Sequence, residues 1–132
     1  MLLITSIIAS SLTIIYVILS IAVINLRRKN KVSLGSCGVE ELERAIRAHG
    51  NFAEYSPIGI ILIGCLELNG APWWLVTIPG VTLIIGRLLH AYGIKELPPK
   101  FGKRVNGMKF TFFTLITLVV LNLGWSIYRL FF

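Results

Sequence analysis

Four polar side chains carry the first chemical signal in the sequence. Glu43, Arg47, Asn51 and Glu54 stand at spacings of four, four and three, so on a helix they share one face. Glu43 and Arg47 alone fit a solvated ion-pair ladder at a membrane surface. Asn51 and Glu54 do not, because the apolar run that follows them is too short to cross a bilayer without including them. Arg87 and His90, three apart, form a second group with Tyr92 just beyond, and Arg104 forms a third. Guanidinium groups grip carboxylates at two points. A carboxylate such as Glu54 receives an ammonium group, and an amide such as Asn51 both donates and accepts. Such a set suits a small, water-soluble ligand with several charges. Arg87 has a plainer alternative as an interhelical ion-pair partner of Glu54 or another carboxylate, and His90 as a satisfied bundle histidine.

The elements that must position these groups are apolar. The chain has 132 residues, 55% hydrophobic and 14% charged, with a mean hydropathy of +0.80. A soluble domain carries roughly 25% charged residues, so a soluble globular protein and a disordered tail are both excluded. The net charge of +7 does not point to nucleic acid, because the cations sit in short segments between apolar runs, where they orient a membrane protein. A spanning helix needs about 20 apolar residues. Met1 to Leu26 carries no charge and stops at Arg27-Arg28-Lys29. Without a basic n-region it is a first transmembrane helix rather than a cleaved signal. The run from Tyr55 to Leu66 reaches spanning length only by extending back through Glu54 and Asn51, which puts a carboxylate and an amide at membrane depth, facing the bundle interior.

The expected fold is therefore an all-α integral membrane protein, a four-transmembrane-helix bundle forming one domain, with helices at about residues 1–27, 39–68, 72–93 and 104–131. Asn69-Gly70-Ala71-Pro72 is a tight turn between the second and third helices, Pro79-Gly80 marks a kink, and Glu67 is expected to cap that helix hairpin. Gly59, Gly64, Gly80 and Gly86 are expected to permit close helix packing. Cys37 and Cys65 are isolated, with no CxxC or histidine pairing, and read as free thiols with no metal site. The first loop holds Arg27, Arg28, Lys29 and Lys31, and the third Lys95, Lys100, Lys103 and Arg104; the second holds no cation. Loops one and three are thus expected in the cytoplasm and both termini on the opposite side, with Trp73 and Trp74 at that outer interface.

The segment Glu43-Arg44-Ala45-Ile46-Arg47-Ala48-His49-Gly50-Asn51-Phe52-Ala53-Glu54-Tyr55 resembles the E-R-x-x-R-A-x-x-N-x-x-E-Y signature of the MAPEG family, the membrane-associated proteins in eicosanoid and glutathione metabolism. Arg27-Arg28 followed by Lys31-Val32-Ser33 is similar to the family's pattern after its first helix. Gly86-Arg87-Leu88-Leu89-His90 is similar to the third-helix G-R-x-x-H of the prostaglandin E synthase branch. The likeness covers nearly the whole chain and suits the small bacterial branch.

The resemblance implies a homotrimer in a bacterial inner membrane, with glutathione as co-substrate between neighbouring subunits near the cytoplasmic face. It implies a second, hydrophobic substrate dissolved among the membrane lipids. Arg47, Asn51, Glu54 and Tyr55 match glutathione-binding positions, Arg27 or Arg28 matches a cation that meets a glutathione carboxylate, and His90 matches a ligand-contacting position. Arg104, or else Lys103, matches the cation beside the thiol. The implied activity is of glutathione transferase or peroxidase type. A thiol with a pKa near 8.5 is mostly protonated at neutral pH, and a fixed guanidinium favours the anion that attacks an electrophile or a hydroperoxide. Two alternatives stand beside it: a scaffold that binds glutathione or lipid without turnover, and a small oligomeric transporter using Glu54.

Overall fold

A computed structural model describes residues 1–95 and 101–131. Four helices follow one another, α1 (Leu3–Asn30), α2 (Glu40–Leu68), α3 (Trp73–Lys95) and α4 (Phe101–Phe131), with no strand among the described residues. Of these, α1, α3 and α4 are long and apolar enough to cross a membrane. The 29 residues of α2 make it about 43 Å long, which is also sufficient, although it carries the polar stripe. The chain is an all-helical membrane protein.

The boundaries differ from expectation at the basic end. α1 runs through Arg27, Arg28 and Lys29, where cations meet the negative end of the helix dipole. α4 starts at Phe101 rather than near residue 104, so Arg104 lies at the end of its first turn. Pro98, Pro99 and Lys100, the middle of the expected third loop, lie outside the described residues. α3 is a single helix through Pro79 and Gly80, with α1 approaching Gly80 through Ile8.

Packing is built around α2 and α3, each of which touches both α1 and α4; α1 and α4 do not touch each other among the described residues. The buried side of α2 follows helical spacing, with Leu42, Ala45, Ala48, Phe52, Ile63 and Leu66 almost wholly covered. Each flanking helix buries one stripe: Thr5, Ile8, Leu12 and Leu19 on α1, and Gly107, Thr111, Thr114 and Leu118 on α4. The opposite side of α4 exposes Phe113, Ile116, Val120 and Leu123, a surface suited to lipid or to another membrane helix.

Glycine sets the α3–α4 crossing. A Cβ on Gly107 would stand 2.7 Å from the Cα of His90, and one on Gly93 would stand 2.8 Å from the Cα of Arg104, so only glycine lets the two backbones meet there. Gly86 and Gly59 also lie against neighbouring helices, whereas Gly64 has only an ordinary contact with Thr5. The turn after α2 closes with Ala71 N–H donating to the Leu66 carbonyl at 3.2 Å and Gly70 N–H to the Glu67 carbonyl at 3.0 Å. Gly70 at φ +76° supplies the left-handed residue this termination needs. Glu67 does not cap that hairpin with its side chain. It reaches α1 instead, accepting from Ile4 N–H at 2.9 Å, Thr5 N–H at 2.7 Å and Thr5 Oγ1 at 2.6 Å.

Candidate functional site

Chain direction places the C-terminal ends of α1 and α3 beside the N-terminal ends of α2 and α4. At this end α2, α3 and α4 enclose a cavity of about 760 Å³, within the range of small-molecule sites. One wall is the polar face of α2, where Glu43, Arg47 and Asn51 follow one another along the helix. The facing wall is the first turns of α4, with Arg104, Met108 and Lys109, and His90 of α3 lies between them.

The charge is uneven. Glu40 and Arg44 neutralise each other in an i,i+4 ion pair of 2.6 Å, and Arg44 also donates at 3.4 Å to the Ile94 carbonyl near the end of α3. Arg47, Arg104 and Lys109 then face the cavity, with Glu43 as the remaining lining carboxylate among the described residues. An anion is favoured, with one place for a cationic group. His90 is buried, and its Nδ1 lies 2.9 Å from the Arg104 carbonyl oxygen. A carbonyl only accepts, so the proton of this bond sits on Nδ1 and leaves Nε2 as the ring's acceptor in neutral His90. The same bond ties α3 to the residue whose side chain lines the opposite wall.

Below the cavity lies Arg87, fully buried. Rather than pairing with Glu54, it donates from Nη2 to Asn51 Oδ1 at 2.6 Å. Its Cζ lies 5.6 Å from the Phe52 ring centre and 5.4 Å from that of Tyr55. Among the described residues Arg87 makes no ion pair with Glu54. Tyr55 packs edge-on against Phe112, with centroids 5.6 Å apart, and Phe112 also lines the cavity.

The structure thus brings together Arg47, Asn51, His90 and Arg104, with Tyr55 one contact behind them. Of the two cations considered for the thiol position, Arg104 is in the lining and Lys103 is not. Arg27, Arg28 and Glu54 lie elsewhere. Arg27 donates to the Ser33 and Gly35 carbonyls at 3.2 and 3.0 Å, which folds the first loop back on α1. Arg28 is exposed at the end of α1. Glu54 is exposed on the outward side of α2, so the expectation that it faces the interior of its own bundle is corrected. The geometric reason is rotation: Glu54 lies opposite the buried stripe of Phe52, Ser56 and Ile63, whereas Asn51 is turned toward α3. Lys109 and Phe112 were not anticipated as lining residues. Their spacing with Val105, four and then three, marks one face of α4 and was the available signal.

His49, within the α2 signature, turns to α1. Its ring lies 4.6 Å from that of Tyr16, and its Nε2 lies 2.9 Å from Ser20 Oγ.

The sequence model of the MAPEG family matches residues 5–124. The chain is similar to inner membrane protein YecN of Escherichia coli strain K12, 42% identical over 113 residues that span 86% of this chain and 85% of the relative. The protein of the same name from Escherichia coli O6:H1 strain CFT073 matches with the same identity and coverage.

Proposed function

The chain belongs to the MAPEG family, and on that premise we propose that it binds glutathione in the cavity and activates its thiol. The activated thiol attacks a hydrophobic electrophile, or reduces a hydroperoxide, delivered from the membrane. The observation that carries this reading is the convergence of Arg47, Asn51, His90 and Arg104 on one cation-rich cavity. Glutathione has two carboxylates and one ammonium group, and the lining offers matching chemistry: guanidinium and ammonium groups in excess, an amide, and Glu43 as the place for a cation.

Within this reading Arg104 supplies the positive charge that holds the thiol as its anion. It lies in the first turn of α4, where the helix's own N-terminal field adds to the same effect. Arg47 and Asn51 hold the ligand's polar ends. The bond from His90 to the Arg104 carbonyl fixes the α4 backbone that carries the guanidinium. Arg27, Arg28 and Glu54, which lie outside the cavity of their own chain, are assigned to ligand bound against a neighbouring copy in a homotrimer. The excess of cations at this end supports its placement in the cytoplasm, by the positive-inside bias.

The test is the ultraviolet difference spectrum of thiolate formation when glutathione is added to the detergent-purified protein. Wild type and Lys103→Ala should show the thiolate band, and Arg104→Ala should lose it. Heat of binding with no thiolate band in wild type would reduce the protein to a binding scaffold. No binding at all would refute the glutathione reading.

A further inference from the structure

Arg87 is the largest fully buried side chain among the described residues, and it is not in the cavity lining. Among the described residues no carboxylate pairs with it, and its Nε has no acceptor. Nη1 makes only long contacts, 3.4 Å to Thr111 Oγ1 and 3.7 Å to Met108 Sδ. The short bond is the one from Nη2 to Asn51 Oδ1, 2.6 Å. A hydrophobic side chain of similar volume would fill this space with less desolvation, so space-filling does not account for the guanidinium.

What the guanidinium does is choose an orientation. It has donors and no acceptor, so the Asn51 atom facing it must be the amide oxygen. The bond is charge-assisted and resists reversal. The NH2 group is then on the other side of the amide, on a side chain that lines the cavity, and Nδ2 has no acceptor among the described residues. A freely turning asparagine would present either end to a ligand and would lose freedom on binding.

We infer that Arg87 is a positioning residue that locks the Asn51 amide with its NH2 toward the cavity. Asn51 then reads its ligand as a donor only and selects a carboxylate or carbonyl oxygen at that point. This rests on the cavity being the glutathione site and sharpens it: the group opposite Asn51 is an oxygen acceptor of the tripeptide, never its ammonium.

The experiment is calorimetric titration of glutathione into the full-length detergent-solubilised protein, with the melting temperature of each variant measured alongside. Asn51→Asp keeps an acceptor for Arg87 and replaces the cavity-facing NH2 with an oxygen. It should melt at or above the wild-type temperature, yet bind glutathione at least about tenfold more weakly. A bond serving structure alone would leave that affinity at the wild-type value, which overturns the inference. If Asn51→Asp does not fold, the Arg87 variants decide. Arg87→Met frees the amide and should weaken binding about fivefold or more, while Arg87→Lys, which keeps a charged donor, should stay within about threefold of wild type. A folded Arg87→Met that binds as wild type also overturns it. Absence of binding in wild type sinks the glutathione reading and this inference together; wild-type binding with Asn51→Asp unchanged sinks this inference alone.

Discussion

At the scale of single residues, the sharpest arrangements join groups far apart in sequence. Leu2, at the start of α1, offers no side-chain cap, and Glu67 of another helix does that work with three short hydrogen bonds. A carboxylate at a helix N-terminus gains from both the bonds and the dipole. Glu67→Gln keeps one acceptor oxygen and turns a donor toward donors, so it should lower stability by about 2 kcal/mol. Thr5→Val removes only the hydroxyl bond and should cost about 1 kcal/mol. Thermal unfolding in a single detergent checks both values and their order. This contact shows why some residues were legible and others were not. Arg47 and Asn51 were readable because one helix carries them at a fixed spacing. Glu67 was readable only as a polar group near a turn, since its partners lie 62 and 63 positions away. Glu54 marks the limit of the spacing argument: sharing a helix face with Asn51 did not settle which side of the cavity edge it would fall on.

At the scale of elements, the site depends on how closely α3 and α4 approach. His90 can reach the Arg104 carbonyl because Gly93 and Gly107 leave no side chain between the helices. The need for α2 to extend back through Asn51 could be read from length alone. The roles of Gly93 and Gly107 could not, because their importance lies in the partner backbone and not in any local pattern. Gly107→Ala should therefore push α4 outward, with a loss of about 1–3 kcal/mol from overpacking, and weaken thiolate formation by displacing Arg104. Gly124 lies in the same helix with nothing within 4 Å of a Cβ placed there. Gly124→Ala should leave stability equal or raised by up to about 1 kcal/mol, since alanine is the better helix former. Melting temperatures and the thiolate difference spectrum of the two variants, side by side, separate a crossing defect from a general intolerance of added methyl groups in α4.

At the scale of the whole molecule, one copy leaves its surface unfinished. Lipid can solvate the apolar outer sides of α1 and α4, but it cannot solvate Glu54, an exposed carboxylate on α2 just where that helix becomes apolar. A charged group at such depth costs roughly 3 kcal/mol in lipid unless it is paired or faces water. Among the described residues of its own chain Glu54 makes no ion pair or hydrogen bond, and the cations at the end of α1, Arg27 and Arg28, are absent from the cavity lining of theirs. A neighbouring copy accounts for both facts at once, by bringing a cationic or ligand-lined surface to Glu54. The homotrimer proposed from family membership meets this requirement three times over. Native mass spectrometry of the detergent-extracted protein should then give a species of three times the 14.7 kDa protomer mass. Glu54→Lys, which sets cation against cation, should shift the population to smaller species, while Glu54→Gln, which keeps size and polarity without the charge, should retain more of the trimer. A wild-type protein that binds glutathione as a monomer would refute the shared site, and would return Glu54 to a role within its own chain.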